Sequence, residues 1–555
     1  MNIQSRNRSV VCIAIVIGVA AVSASITKIG SSQNRGTASY NVRAFGAKGD
    51  GKQLDTVAIN KTIDAAAAAG GGTVYFPAGN YLSTSIRLKS NIALYVEQGA
   101  TIIASETTAT AKYDPPEPNQ WDAYQDFGHS HWHNSLIWGD HLENVSIIGP
   151  GRIWGRGLVR LGSQSRTAEQ NAALASLPGE SRAGPYGFPS KRDAVEPGWG
   201  NKAIALKLCR NVLIRDITIF HGGHFAILAT GTDNLTIDNV KIDTNRDGID
   251  VDACKNVRIS NTMVNSPIDD AICPKSSYAL GYARATENLT ITNCQVSGYL
   301  EGTLLDGTFK REPQRTTGDF SSPMGRIKFG TESNGGFKNI TISNCVFDYS
   351  RGIALESVDG ALLEDVTISN ITMREITNAP IFMRLGFRGR GPKDTTKVGA
   401  LRRVIISNVV VYNAGAAISS IIAGIPGHPI EDVTLSNIRI YAMGGGTAAQ
   451  SALEPAEKED AYPEPTMFGD TPAFGFFIRH AKGLRIDQVS LSYLKDDLRP
   501  AFVLDDVSDA AFSIIKAPQH KDLPTFVLKN VQDFSIHNSF PIPDKRIEGV
   551  KGGRF

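Results

Sequence analysis

Apolar residues recur at alternate positions of short segments that share one template, in which a charged residue is followed by Asn, an aliphatic residue, any residue and Ile. The template stands at Arg210-Asn211-Val212-Leu213-Ile214, Asp233-Asn234-Leu235-Thr236-Ile237, Lys255-Asn256-Val257-Arg258-Ile259, Glu287-Asn288-Leu289-Thr290-Ile291 and Lys338-Asn339-Ile340-Thr341-Ile342. The first three asparagines lie about 22 residues apart, a period that predicts stacked coils, and the alternation within each segment predicts a half-buried strand. Related segments begin at Glu364, Arg402, Glu431 and Lys482. One elongated, all-β domain is therefore expected over residues 39–545, rather than the two or three domains that length alone would imply.

The pattern changes before the coils begin. Tyr40 to Gly51 reads as a strand and a glycine-rich turn. Asp55-Thr56 then reads as the N-cap of an alanine-rich helix ending at Gly70-Gly71-Gly72, and Thr73 to Leu82 as the first coil. A coil stack has an open apolar end, so this helix is expected to cap it. Further upstream, Arg6 and Arg8 precede an apolar run from Val10 to Val22, and Val22-Ser23-Ala24 has the small-residue form of a cleavage site. Residues 1–24 are expected to be a signal peptide and residues 25–38 a disordered lead-in. The mature protein is then exported, periplasmic or secreted, with no membrane association.

Candidate chemistry follows from the same ruler. Thirteen positions beyond successive asparagines stand His224, Asp247, Asp269 and Glu301, which the stacking would bring into one column with coils about 4.8 Å apart. Carboxylates that close repel one another and spread their pKa values, an arrangement that structure alone does not favour. Later coils place Asn378 and Ala416 at the same offset.

Composition narrows the classes. Among 555 residues 41% are hydrophobic, and the net charge is +2 with dispersed Lys and Arg, which gives no footprint for nucleic acid. Cys209, Cys254, Cys273, Cys294 and Cys345 remain after signal removal, an odd set near repeat strands, and are expected to be small buried residues. His129, His131 and His133 flank Trp132; a polar rim, with the tryptophan suited to stacking on a sugar, is expected over a metal site.

Several of these motifs occur together in a known family. Ala-x-Gly-Asp-Gly, the Asp-Thr helix, Phe76-Pro77-Ala78-Gly79-Asn80-Tyr81, the Asn-x-Asp-Gly-x-Asp of Asn245 to Asp250, and the pair Asp269-Asp270 resemble the polygalacturonases and rhamnogalacturonan hydrolases of glycoside hydrolase family 28. The resemblance covers about Tyr40 to about Ile440. It implies a single-stranded, right-handed parallel β-helix of the pectin-lyase type, and inverting hydrolysis of galacturonosyl linkages in a pectic polysaccharide or oligosaccharide, without a cofactor or metal. It carries the catalytic role onto Asp247, Asp269 and Asp270. Inverting hydrolysis needs one carboxylic acid for the leaving oxygen and a carboxylate for the attacking water. Asp269 is expected to be the acid, with Asp247 and Asp270 holding the water. Asp269 and Asp270 reach one cleft only if the strand breaks there, which Pro267 favours.

The chain also departs from the family. In place of its Gly-His-Gly turn stands Gly298-Tyr299-Leu300-Glu301-Gly302, and its cationic strand is matched by Gly352 to Ser357, with Arg326-Ile327-Lys328 one coil early. His224, Asn245, Glu301, Arg326, Lys328 and Glu356 are the expected substrate contacts: Arg326 and Lys328 for a uronate carboxylate, Glu356 for a neutral sugar such as rhamnose. Insertions at Gly302 to Met324 and Tyr278 to Thr286 are expected to wall the cleft and favour exo action. Gly162 to Gly200 and Gly444 to Asp470 read as surface loops without an assigned role. A monomer is expected. Two other classes remain open: a lyase or epimerase holding Ca²⁺ on the three aspartates, with Arg326 or Lys328 abstracting a proton, and a non-catalytic glycan-binding solenoid.

Overall fold

Alternation of apolar and polar residues becomes coil geometry throughout the chain. Val212 and Ile214 stack on Leu235 and Ile237, these on Val257 and Ile259, and these on Leu289 and Ile291, all in parallel register. The computed structural model describes residues 38–125, 129–159, 198–311, 323–518 and 523–555. The expected signal peptide, the lead-in to residue 37, residues 162–197 of the first long loop and residues 312–322 of the insertion lie outside the described residues.

The protein is a right-handed parallel β-helix. Its described strands form one sheet of 28 strands and a second of six, the latter running from Ile86–Arg87 through Ile137–Asp140, Lys202–Lys207, Phe225–Thr230 and Asp247–Asp252 to Ile272–Lys275. Inward aliphatic side chains from Val42 to Ile542 make one continuous core. The helix Thr56–Ala68 lays Ile59, Ile63 and Ala66 against the end of that core, as the sequence predicts. Asp55 makes no side-chain cap to this helix. Instead its carboxylate accepts from the backbone N–H of Lys48 and Gly49, at 2.7 and 3.0 Å, and closes the preceding glycine turn. At the other end Lys545–Arg554 runs antiparallel to Phe526–His537, so the last ten residues extend the sheet beyond the expected boundary at 545. Cys209, Cys254, Cys273, Cys294 and Cys345 are free and buried.

Candidate active site

The six-stranded sheet positions the acidic groups. Phe225 stacks on Asp247, and Ile249 stacks on Ile272 in the next coil. Gly248 of the Asn-x-Asp-Gly-x-Asp segment sits where a Cβ would come within 2.4 Å of the Ala271 carbonyl, so only glycine lets these two coils close. Between the strands Met263–Asn265 and Ile272–Lys275 the chain leaves the ladder, and this break lets both Asp269 and Asp270 turn toward Asp247. The Asp270 N–H meets Asp269 Oδ1 at 3.1 Å and Asp247 Oδ1 at 3.3 Å. One ligand atom each of His224, Asp247 and Asp269 lie within 4.8 Å of one another.

Their surroundings separate the three carboxylates. Burial, together with Asp250 and Asp269, pushes Asp247 well above the usual carboxylate range. Burial also works against the charge on Asp270, but Lys328 and Arg326 outweigh it and hold that group below its ordinary value. Arg326 Nε stands 2.7 Å from Asp270 Oδ1, and Lys328 Nζ 3.4 Å from Oδ2. Asp269 pairs with Arg246 at 2.6 Å and keeps 17% of its side chain exposed, against 2% for Asp270. His224 is buried and pushed far below the usual imidazole range by desolvation and Arg246, so it stands neutral beside the acids. Asn245 lies half-buried at the same turn, its carbonyl accepting from the Ile268 N–H at 3.2 Å.

A second buried set adjoins the first. Asp250 Oδ2 meets His129 Nε2 at 3.1 Å and Lys275 Nζ at 3.7 Å, while Lys275 Nζ lies 3.2 Å from Glu332. Despite burial, Glu332 and Asp250 raise His129, and Lys275 and His129 hold Glu332 well below its ordinary value. Asp252 accepts from Ser277 N–H and Oγ–H at 2.7 and 2.6 Å.

Four expectations need correction. Arg326 and Lys328 do face away from the core, with Ile327 and Phe329 inside it. They are nevertheless buried rather than open to a ligand, because Glu464 from the loop after Gly444 reaches over both. Glu356 is fully buried beside Lys328, at 3.8 Å, and burial pushes its carboxyl up to about 8 against the pull of Lys328 and Arg326. It is not placed to meet a sugar. Glu301 leaves the column, since the strand stacked on Ile272 is the one holding Ile327, and Glu301 instead pairs with His221 at 2.6 Å. Trp132 is buried under Lys207, 4.4 Å from its ring, with its indole N–H on Thr230, and offers no face to a sugar. The insertion at Tyr278 to Thr286 does bring aromatic surface, with Tyr278 edge-on to Trp121 at 5.2 Å.

Sequence reasoning missed Arg246, Lys275, Glu332, Arg351, Tyr462 and Glu464. Lys275 was within reach, two places after Cys273 on the strand that follows the aspartates. Glu464 was not, because its partner Arg326 lies 138 residues away and no repeat phase links them.

Residues 39–266 match the family described as Rhamnogalacturonase A/epimerase, pectate lyase-like. A probable polygalacturonase of Vitis vinifera is 23% identical over 415 residues, covering 72% of this chain and 73% of that protein. An exo-poly-alpha-D-galacturonosidase of Dickeya chrysanthemi is 28% identical over 258 residues, 42% of this chain and 41% of that protein. The chain resembles the polygalacturonases of glycoside hydrolase family 28. The family 28 exopolygalacturonase of Yersinia enterocolitica superposes with a TM-score of 0.60 at 18% identity, over 87% of this chain and 79% of that one, which shows the shared β-helix. Within this polygalacturonase-like frame Asp247 opens the strand Asp247–Asp252, Asp269 and Asp270 lie in the break before Ile272–Lys275, and the basic groups beside them are covered.

Proposed function

We propose that the protein is an exported glycoside hydrolase of the pectin-degrading, polygalacturonase-like kind, cleaving galacturonosyl linkages from a chain end with inversion. The observation that carries the reading is the divergence of Asp247 and Asp270: burial favours a proton on one, and two cations keep the other ionised, in adjacent coils. That division is what acid–base cleavage of a glycoside requires. Asp269, the most exposed of the three, meets the glycosidic oxygen, and the proton that burial keeps on Asp247 reaches the leaving oxygen through it. Ionised Asp270 takes a proton from the water as its oxygen bonds to the anomeric carbon and the C–O bond breaks. Asp247 thus belongs with the acid rather than with the base. The Dickeya and Yersinia relatives are exo-acting by name, which supports the chain-end mode.

Inverting enzymes hold acid and base roughly 6.5–9.5 Å apart with the water on the opposite face of the sugar, and retaining enzymes hold the two carboxyls about 5–5.5 Å apart. Stereochemistry is therefore the sharpest test. Galacturonate and rhamnogalacturonan oligosaccharides should yield products of inverted anomeric configuration by NMR, with monomer or dimer released first by mass. Asp269→Asn should lower turnover by about 10²–10⁴-fold in a folded protein. Retention of configuration, or turnover by Asp269→Asn within a few-fold of wild type, would overturn the assignment.

The lyase or epimerase reading finds less support in the donor set. Ca²⁺ takes six to eight oxygens, whereas each compact donor group at this site includes a histidine and Asp270 is engaged by Arg326 and Lys328. Loss of activity in EDTA with recovery on added Ca²⁺, and products absorbing in the ultraviolet, would favour it.

A further inference from the structure

The loop between the strands Ile430–Gly444 and Phe476–Lys495 carries a carboxylate into a pocket of cations. Glu464, 3% exposed, accepts from Arg326 through both terminal guanidinium nitrogens and from Arg351 Nη1 at 2.7 Å. Lys328 Nζ lies 3.9 Å away and is itself covered by Tyr462, whose hydroxyl stands 3.3 Å off. The placement is built into the loop. Pro465–Phe468 forms a short 3₁₀ turn after Glu464, the Met467 N–H bonds the Glu464 carbonyl at 2.8 Å, and Met467 and Phe468 are buried in an apolar cluster with Phe382 and Phe477.

Two guanidinium groups, one of them bidentate, and an ammonium around one carboxylate are the chemistry by which proteins bind carboxylate ligands. The same Arg326 holds Asp270 through Nε, so this cluster of cations directly adjoins the acidic groups. A uronate seated here would have to displace an internal carboxylate already held at high effective concentration.

We infer that Glu464 is a specificity-determining residue: its carboxylate fills the Arg326–Arg351–Lys328 pocket that would otherwise take a sugar carboxylate, so the sugar unit seated against this loop is uncharged. The inference rests on the proposed hydrolase reading and names its substrate class: a pectic chain in which a galacturonate lies next to a neutral sugar, as in a mixed backbone. The pocket itself does not depend on that reading.

The test uses Glu464→Ala and Glu464→Gln in the full chain. Thermal unfolding is followed against acetate, the probe for an emptied carboxylate pocket. KM is measured for a galacturonate trisaccharide and for a mixed rhamnose–galacturonate oligosaccharide. Acetate at tens of millimolar should raise the melting temperature of Glu464→Ala and leave wild type unmoved, beyond the change seen with chloride at equal ionic strength. KM for the trisaccharide should fall about tenfold or more in Glu464→Ala, the gain of one charge-assisted contact, and by less in Glu464→Gln. An unchanged or raised trisaccharide KM in both variants overturns the inference, as does an equal acetate response in wild type and Glu464→Ala. If Glu464→Ala does not fold, the direction of KM in Glu464→Gln decides. If no pectic oligosaccharide is cleaved by any form, yet acetate stabilises Glu464→Ala alone, the hydrolase reading falls and the carboxylate pocket stands.

Discussion

Two stacks of polar residues climb the same coils and solve opposite problems. On one corner Asn144, Asn211, Asn234, Asn256, Asn288 and Asn339 each donate from Nδ2 to the Oδ1 of the asparagine one coil below, at 2.6–3.2 Å, and Asn91 accepts at the end of the series. All seven adopt left-handed backbone, φ 50–63°, a region in which asparagine is favoured. On the other corner Asp247, Asp250, Asp269 and Asp270 crowd together, and each can only accept when ionised. An amide carries donor and acceptor and can repeat without limit, whereas a carboxylate needs a donor from elsewhere at every level. The acidic side therefore recruits Arg246, His129, Lys275, Arg326 and Lys328, and those cations recruit Glu332, Glu356 and Glu464 in turn. The ladder is exposed and locally satisfied. The charged network is buried and depends on distant loops, which is the condition for perturbed pKa values and for chemistry.

The comparison breaks most sharply where the network loses one of its cations. Lys275→Met removes the ammonium that stands between Asp250 and Glu332 and leaves the two buried carboxylates sharing His129, with Arg388 acting on Glu332. Loss of one partner from such a buried set should cost about 3–5 kcal/mol, seen as a fall in denaturant midpoint at unchanged slope. A loss under about 1 kcal/mol, typical of an exposed pair, would mean that the network is solvated and that the contrast with the ladder is false.

Legibility divides along the same line. The coil stack, the capping helix, and the break that brings Asp269 and Asp270 to one side were readable because each depends on residues within one period of its neighbours. The thirteen-residue offset brought His224, Asp247 and Asp269 together, but it failed at Glu301. An insertion after Gly302 changes the phase there, and the next outward strand begins at Arg326 instead. The charge partners were unreadable for another reason. A loop that folds back over a coil obeys no repeat, and Glu464 reaches Arg326 through tertiary packing of Met467 and Phe468. The thirteen-residue offset could place acidic side chains near one another, but the burial and the cations that separate Asp247 from Asp270 follow no repeat.

A smaller effect sharpens the electrostatic side. Glu356 is buried with both oxygens lacking hydrogen bonds, and its folded pKa of about 8 lies above the ordinary value of 4.5. Between those values the folded state keeps a proton that the unfolded chain releases, so this group's contribution to stability falls as pH rises from about 4.5 to about 8 and is level outside that window. Glu356→Gln has no such dependence. The melting temperature of the variant relative to wild type should therefore rise between pH 5 and pH 9, and an equal difference at both pH values would remove Glu356 from the network.

The smallest effect is expected on the ladder, and its chemistry makes it diagnostic. Asn256 donates to Asn234 at 3.2 Å and accepts from Asn288 at 2.9 Å, on an exposed edge. Asn256→Asp preserves shape and tolerance of the left-handed backbone, keeps the acceptor for Asn288, and loses the donor toward Asn234, where two acceptors now face each other. Because solvent reaches the site, the cost at pH 7 should be only about 0.5–1.5 kcal/mol, the net value of one hydrogen bond. Protonating the new carboxyl restores an O–H donor, so the variant should regain stability relative to wild type as pH falls through about 4. Activity should not change, since the ladder touches none of the acidic groups. A pH-independent loss would mean that the ladder stabilises through shape alone, and a fall in turnover would tie the two corners of the coil together.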